Sequence, residues 1–249
     1  LLVKESSKAD QYLFQTNYIG KIFILERDGN NNSRHSGLLG SFNLINDLKK
    51  YNFEKIFIFN SSLRFNLIAR FSNIPGIYQY PLFNKNKQHI TDTPKKFLKD
   101  KLDINVNEDP DIQISDDLIS EAIKKFQIDK NELNILMGIG GSGPTKRIPA
   151  KTFLQVMKKV IEKKSCKFFL ATGSGDEEQQ ILNEIKNSEL KKYCISLDKL
   201  SISECLPIIK NCSVSICNDS SFSHLSSALG IKTITLMADT PLVYGSYSS

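Results

Sequence analysis

The residues with the clearest chemical potential lie near the carboxyl end of the sequence, in the stretch Ser213–Gly230. It begins with a β-branched run, Val214–Ile216, which predicts a buried strand. Small polar residues follow, and then a helical pattern that closes at a glycine. A polar turn between a strand and a helix is where α/β sheets place ligand sites, and the free N–H groups of such a helix can hold an anion such as a diphosphate. We therefore predict an anion site here, with Asp219 and His224 beside the anion.

The same residues also fit a purely structural interpretation. Asp219, Ser220 or Ser221 could be the N-cap of the helix, and His224 could be a surface residue in its first turn. The stretch alone does not decide between a helix cap and an anion site. The decision depends on what the other strands of the same sheet contribute.

A second candidate segment is the glycine-rich run Gly138–Gly143, which has Lys146 and Arg147 just beyond it. The run matches G-x-G-x-x-G, but a dinucleotide site needs a helix directly behind the third glycine, and Pro144 and Pro149 delay that helix. It does not fit the phosphate loop of nucleoside triphosphatases either, because Arg147 stands where Ser or Thr must bind magnesium. Exposed N–H groups followed by two cations suit a diphosphate without a metal ion. The alternative is a tight turn with a solvated Lys-Arg pair.

A third loop, Gly173–Glu177, follows another predicted strand. A carboxylate here could accept hydrogen bonds from a ribose or from a base edge. An acidic first turn also stabilises the helix that follows it, without any ligand. From this segment alone we prefer the structural interpretation.

Composition excludes several classes of protein. Of the 249 residues, 40% are hydrophobic and 24% are charged, as in ordinary globular proteins. No apolar run approaches the ~18–20 residues that span a bilayer. The net charge of +6 is spread over lysine-rich faces, without the basic patch interleaved with aromatic residues that would predict nucleic-acid binding. The five cysteines form no Cys-x-x-Cys pair and there are only three histidines, so we expect reduced core thiols, no metal site and no cofactor.

Strands and helices alternate along the chain, which predicts an α/β fold with parallel sheets. We place the domain boundary after Phe126, so that residues 1–126 form an N-terminal and residues 127–249 a C-terminal Rossmann-like domain, with a cleft between them. The chain begins in an apolar pair and stops abruptly, and we expect it to be truncated at both ends. The predicted strands of the second half are 135–139, 167–171, 194–197, 214–216 and 233–237.

Taken together, these segments resemble glycosyltransferase family nine, the bacterial heptosyltransferases. Residues 141–153 are similar to the family's Pro-Thr-Lys-Arg-Trp-Pro segment, and Asn218–Leu225 is similar to its Asn-Asp-Thr-Gly-x-x-His-Leu signature. The tail from Asp239 to Tyr247 is similar to the Thr-x-Pro…Trp-Gly-x-Tyr segment that follows. In the first half, Ser61–Arg70 is similar to the family's Ser-Leu-Arg-Ser-Ala-Leu-Leu-Ala-Arg helix. The resemblance covers most of the chain.

The resemblance implies a GT-B-like fold, in which two Rossmann-like domains with parallel sheets face a central cleft. It implies an inverting glycosyltransferase that transfers heptose from ADP-heptose to the lipopolysaccharide inner core without a metal ion. Such an enzyme would work at the cytoplasmic face of the inner membrane, in peripheral contact with its anionic surface. Carried over by position, the donor-binding residues would be Gly141, Ser142 and Lys146 at the diphosphate, Glu177 at the ribose, Asp219 at sugar hydroxyls, and Ser220, Ser221 and His224 at the phosphates and the sugar.

The resemblance leaves the catalytic base of this chain unassigned. The family's base is an Asp in a Ser-Ser-x-Gly-Asp segment after its first strand, and Ser6–Asp10 is similar to that segment with Ala9 in place of the glycine. The stretch from Asp10 to the next predicted strand is too short for the family's helix. We therefore expect Leu1–Lys4 to be the family's second strand and the base-bearing first βα unit to be missing, which leaves Asp10 as no more than a candidate.

Three alternatives remain open on the sequence. The nearest is the same scaffold with another nucleotide-sugar donor. The second is a non-catalytic fragment that binds a nucleotide sugar, and the third is an NAD-dependent oxidoreductase.

Overall fold

The computed structural model of the protein describes residues 1–27, 33–82, 89–237, 240, 241 and 243. Contacts divide the chain into two compact units: the first unit comprises Leu1–Asp10 and Asn17–Glu108, and the second unit comprises Gln11–Thr16 and the chain from Asp109 onward. The predicted boundary after Phe126 differs from this division. The reason is that the helix ending at Phe126 packs into the core of the second unit.

Among its described residues, the first unit contains two pairs of parallel strands. The pairs are β1 (Leu2–Lys4) with β2 (Phe23–Leu25), and β3 (Lys55–Ile58) with β4 (Gly76–Gln79). The helices of this part of the chain are α1 (Ala9–Tyr12), α2 (Gly37–Lys49), α3 (Leu63–Phe71) and α4 (Asp92–Leu102). The last two residues of α1 are assigned to the second unit. Leu44 and Leu48 of α2 form a core with Leu25 and Ile68. An apolar cavity of about 510 Å³ is lined by residues of both strand pairs.

The second unit is a single five-stranded sheet in which every pair of neighbouring strands is parallel. Its strand order is β7-β6-β5-β8-β9. The strands are β5 (Leu133–Gly138), β6 (Cys166–Ala171), β7 (Cys194–Ser196), β8 (Val214–Asn218) and β9 (Lys232–Leu236). The helices are α5 (Asp116–Phe126), α6 (Ala150–Ile161), α7 (Asp176–Lys186), α8 (Ile202–Lys210) and α9 (Ser221–Ala228).

Helices cover both faces of this sheet, which explains why its central strands are almost continuously apolar. Successive side chains of a strand point to opposite faces. Met137 accordingly packs in a cluster with Phe153 of α6 and Leu182 of α7, whereas its neighbour Leu136 packs in a cluster with Leu206 of α8. The α/β class with parallel sheets that the sequence predicts is thus confirmed.

The strand order contains a switch point between β5 and β8. The chain runs from β5 outward to β6 and β7, and then returns to the other side of β5 as β8. The two strands are in close contact at their carboxyl ends, because a Cβ added at Gly138 would lie 2.6 Å from the sulfur of Cys217. The Asn218 side-chain amide donates to the Ile139 carbonyl at 2.9 Å and ties the ends together. In open α/β sheets, ligands bind in the crevice at such a switch point.

Two further findings concern the part of the chain that the structure describes. No helix there combines the length and the apolar composition needed to cross a bilayer. The five cysteines are free, and four of them are buried. Burial raises the pKa of the Cys205 thiol to about 12, which identifies this residue as core packing rather than a reactive thiolate.

Candidate functional site

The candidate site lies at the carboxyl ends of β5 and β8, on the two sides of the switch point. After β5, the chain forms a glycine loop (residues 139–143, the β5 loop) and a 3-10 turn, Pro144–Lys146, before α6 begins at Ala150. After β8, a two-residue turn leads into α9 at Ser221. The helix that a dinucleotide fingerprint requires directly behind its third glycine is therefore not present at Gly143, in agreement with the sequence-based argument against a dinucleotide site.

An ion pair joins these two segments. The Lys146 ammonium lies 2.8 Å from Asp219 Oδ2, and the Asp219 side chain is only 6% exposed while that of Lys146 is 27% exposed. The Thr240 hydroxyl also donates to Asp219 Oδ2. A carboxylate and an ammonium that were predicted from separate motifs are thus brought into direct contact.

The environment of Asp219 keeps its side chain ionised. Burial alone would raise the pKa of this carboxyl. Hydrogen bonds from Lys146 and Thr240, together with the positive charge of Lys146 and of His224 in the first turn of α9, outweigh burial and hold the pKa below its usual value. Asp219 is therefore a carboxylate anion at neutral pH and can accept hydrogen bonds.

The contacts at the start of α9 bear on whether the polar turn is a helix cap or an anion site. Ser220 occupies the N-cap position, but its side chain makes no capping hydrogen bond, and its hydroxyl oxygen is buried without a partner among the described residues. The carboxylate of Asp219 pairs with Lys146 instead of capping the helix. In the first turn of α9, the Ser223 N–H donates to the Ser220 carbonyl at 3.1 Å, whereas Ser221 at the first position is exposed. N–H groups at the start of a helix have no partner one turn earlier, so an exposed helix start is suited to binding an anion.

The β5 loop is held by charged side chains of its own unit. The Gly141 N–H donates to Glu178 Oε1 at 2.8 Å, and Arg147 Nη1 donates to the Gly141 carbonyl at 2.9 Å. Arg147 also forms an ion pair with Glu177, whose side chain is 72% exposed. The Gly141 N–H that the sequence assigned to a diphosphate is thus occupied, while Ser142 next to it is exposed.

Space explains the glycines of this loop. A Cβ at Gly140 would lie 2.4 Å from Glu178 Oε1, and a Cβ at Gly141 would lie 2.9 Å from the Lys146 carbonyl oxygen. Only at Gly143 is there open space around an added Cβ. Packing inside the protein therefore accounts for Gly140 and Gly141 without a ligand.

The predicted residues fall into two groups. Lys146, Asp219, Ser220, Ser221 and His224 belong to one arrangement around the start of α9. Gly141 and Glu177 are joined through Arg147, and Ser142 is the exposed neighbour of Gly141 in the β5 loop. The sequence analysis missed the contributions of Glu178 and Thr240, although Thr240 lies within a recognised segment. Asp239 and the residues from Tyr244 to Tyr247 of that segment lie outside the described residues. No group of three or more His, Cys, Asp or Glu side chains that could hold a metal ion occurs in the described ranges.

Comparisons with known proteins identify the family and the fold that this chain resembles. Residues 77–246 match the family described as glycosyltransferase family 9 (heptosyltransferase). The chain is similar to lipopolysaccharide heptosyltransferase 1 of Campylobacter coli, with 34% identity over 127 residues that make up 50% of this chain and 36% of that protein. This chain thus aligns with little more than a third of that relative.

Two solved structures have a similar fold at low sequence identity. The structure of the E. coli ADP-heptose lps heptosyltransferase II covers 98% of this chain and 77% of its own chain, with a TM-score of 0.74 and 16% identity. A glycosyl transferase family 9 structure from Veillonella parvula covers 98% of this chain and 73% of its own, with a TM-score of 0.77 and 16% identity. At this identity the likeness concerns the fold.

Proposed function

The chain belongs to glycosyltransferase family 9 (heptosyltransferase), and from this premise we propose that the protein transfers heptose from ADP-heptose to the inner core of lipopolysaccharide. Two similar proteins support the sugar, the donor and the acceptor class: the lipopolysaccharide heptosyltransferase of Campylobacter coli and the ADP-heptose lps heptosyltransferase of E. coli. The observation that carries the proposal is the ion pair of the partly exposed Lys146 with the buried Asp219, beside the start of α9.

The donor diphosphate would bind at the start of α9. The helix N-terminus carries a partial positive charge and free N–H groups, which favour an anion. Lys146 adds a full positive charge at the same place, because its ammonium is held against Asp219. Ser142, Ser220 and Ser221 supply polar groups around this position, and His224 lies one turn into the helix.

Asp219 would hold the sugar rather than act as the base. Its contacts with Lys146 and Thr240 both use Oδ2, and in the proposed complex Oδ1 would accept from a sugar hydroxyl. Its pKa is held below the usual value, whereas a general base works best with a pKa close to the working pH. An ionised, immobilised carboxylate is suited to binding hydroxyl groups in one orientation.

The chemical step would be a single displacement at the anomeric carbon. The acceptor oxygen forms a bond to this carbon and loses its proton to a base, while the bond to the diphosphate oxygen breaks and ADP leaves with the electron pair. Negative charge develops on the departing diphosphate, and Lys146 with the start of α9 stabilises it in place. The base is not assigned to a residue of this chain, and the candidate Asp10 in α1 is exposed.

The acceptor is a lipid-linked saccharide, so the proposal includes work at the cytoplasmic face of the inner membrane. The net charge of +6 favours peripheral contact with an anionic lipid surface. Co-sedimentation with vesicles of neutral and of anionic lipid would test this contact. Equal retention on both would contradict it.

Calorimetric titration tests the donor site. We expect ADP and ADP-heptose to bind, and Lys146→Ala to weaken ADP binding by roughly tenfold or more, since a hydrogen-bonded charge is lost. Lys163→Ala, which removes an exposed lysine just beyond the end of α6, serves as the control of equal charge. Binding of NAD without binding of ADP or ADP-heptose would overturn the proposal. If the full chain is inactive with ADP-heptose and active with another nucleotide sugar, the donor is wrong and the fold assignment stands.

A further inference from the structure

The Glu178 carboxylate lies between two glycine loops of the second unit, the β5 loop and the loop of residues 172–175 that follows β6 (the β6 loop). Its Oε1 would be 2.4 Å from a Cβ at Gly140, and its Oε2 would be 2.4 Å from a Cβ at Gly173. A Cβ at Gly175 would lie 3.1 Å from the same Oε2. The absence of side chains at Gly140, Gly173 and Gly175 therefore leaves the space that this carboxylate occupies, and we call this space the seat of Glu178.

Hydrogen bonds fasten both loops to the first turn of α7. Glu178 Oε1 accepts from the Gly141 N–H at 2.8 Å, and the neighbouring Gln179 donates from Nε2 to the Gly173 carbonyl at 2.8 Å. From the other side, Arg147 donates to the Gly141 carbonyl at 2.9 Å. Gly141 is thus held at both its N–H and its C=O, which fixes the two successive peptide groups that it joins.

We propose that Glu178 is a positioning residue of the donor site: it sets the β5 loop, and through it Ser142 and Lys146, before a donor binds. The inference rests on the proposed function, because it concerns the affinity of the same site for an ADP moiety. Glu178 does this without touching the ligand. A loop that is already ordered loses less conformational freedom on binding, so affinity is higher.

The proposal also explains glycines of both loops. From the sequence, the glycine-rich run 138–143 is attributed to a diphosphate, whereas a structural interpretation is preferred for the loop that contains Gly173. In the structure, the group that approaches Gly140 and Gly173 is a carboxylate of the protein itself. The same geometry has an opposite interpretation, in which Glu178 occupies the place of an anionic ligand and must leave before the ligand binds. The two interpretations predict changes of opposite sign in ADP affinity.

Two substitutions at Glu178 and one control test the proposal. We expect E178A to weaken ADP binding by roughly tenfold, because a charge-assisted hydrogen bond to the loop is lost. E178Q keeps an oxygen acceptor for the Gly141 N–H and should stay within about threefold of the unchanged protein. E184A removes an exposed glutamate from the same helix and should leave the affinity unchanged.

Steady-state kinetics separates positioning from general damage to the fold. E178A should raise the KM for the donor more than it lowers kcat, and thermal unfolding should show the same melting temperature for E178A and E178Q within a few degrees. Unchanged or tighter ADP binding by E178A would overturn the proposal, as would equal losses in E178A and E178Q.

Gly173 provides a second, independent test. The three atoms nearest to a Cβ at this position all belong to Glu178. G173A should therefore displace the carboxylate and weaken ADP binding as E178A does, yet add nothing in the E178A background, where the space is free. Additive losses would contradict the seat. If the unchanged protein binds no ADP, the proposed function fails, and the same double-mutant cycle measured by unfolding still decides whether Glu178 fills the seat.

Discussion

The Lys146 ammonium lies 2.8 Å from Asp219 Oδ2, so an ion pair bridges the loop that follows β5 and the turn that follows β8. The two segments are far apart in the sequence and meet because β5 and β8 are neighbours in the sheet. The pair places a cation at the start of α9 and an ionised carboxylate next to it. This combination of charges suits the diphosphate and the sugar of the donor that we propose.

Asp219 should make the stability of the second unit depend on acid pH. Its folded-state pKa lies below the usual value, while its pKa in the unfolded chain is about 3.9. The ionised form therefore favours the folded state, and this stabilisation is present above the unfolded pKa and is lost as the pH falls through the folded pKa. We expect Asp219→Asn to lower the free energy of unfolding by roughly 1–3 kcal/mol at pH 7, and the difference to shrink on acidification.

Denaturant unfolding at pH 7, 5 and 3 measures this effect. Asp111→Asn, which changes an exposed carboxylate in the same unit, is the control. Parallel stability curves for Asp219→Asn and the unchanged protein over the whole pH range would contradict the prediction.

A second pH-dependent contribution belongs to the first unit. Hydrogen bonding from Arg34, opposed by burial and assisted by hydrogen bonds from Lys50 and His35, holds the pKa of Asp47 well below its usual range. Arg34 reaches this carboxylate with Nε at 3.0 Å and with Nη2 at 2.7 Å. Asp47→Asn should cost roughly 1–2 kcal/mol at pH 7, because the carboxylate side chain is partly exposed and solvent screens it.

Because the pKa of Asp47 is lower in the folded state than in the unfolded state, its ionised form stabilises the fold. The loss of unfolding free energy caused by Asp47→Asn is therefore present above the unfolded pKa of about 3.9 and declines as the pH falls below it. Thermal unfolding together with hydrogen exchange of the α2 amides measures it. Asp100→Asn, at an exposed position of α4, should have no comparable effect. Protection of α2 that does not change in Asp47→Asn would refute the role of the pair.

Gly138 should be intolerant of any side chain. An added Cβ would lie 2.6 Å from the sulfur and 2.8 Å from the Cβ of Cys217 on the neighbouring strand. Gly138→Ala should therefore separate β5 from β8 at the switch point and destabilise the protein by roughly 1–3 kcal/mol. Gly143→Ala, where nothing lies within 4 Å of the added Cβ, is the matched control in a chemical denaturation experiment. Equal midpoints for the two variants would show that the strands can adjust.

Much of the second unit could be predicted from the sequence, because its apolar periodicity is strong. The predicted helix Asp116–Phe126 has the same bounds in the structure, and the strand predicted at 214–216 extends by two residues to Asn218. These two residues are polar or small, so hydrophobic pattern does not reveal that they continue the ladder with β9. The meeting of the Lys146 loop with the Asp219 turn followed from the rule that parallel strands end at one edge.

The sequence did not predict how the glycine loops are held. The glycines at 140 and 173 show where side chains are missing, but the sequence does not show which group fills the space. That Glu178 rather than Glu177 fills it depends on where the first turn of α7 lies relative to the two loops. Arg147 was expected to stand beside Lys146 at a diphosphate, whereas it pairs with Glu177 and the Gly141 carbonyl. Such contacts depend on tertiary geometry that one-dimensional spacing does not contain.

Ser220 should distinguish a helix cap from a ligand-binding residue. Its hydroxyl is buried and has no partner among the described residues, so Ser220→Ala removes an unsatisfied polar group and should leave the stability unchanged or raise it slightly. The same change should weaken ADP binding by roughly three- to tenfold, because the hydroxyl is then missing at the start of α9.

Ser201→Ala is the matched control, since Ser201 caps α8 through a complete capping box with Glu204. This variant should lose about 1 kcal/mol of stability and keep its ADP affinity. Denaturant unfolding and calorimetric titration give the stability and the ADP affinity of each variant. We expect stability to fall only in Ser201→Ala and ADP affinity to fall only in Ser220→Ala. A loss of stability in Ser220→Ala with unchanged ADP binding would restore the simpler view that this serine only caps the helix.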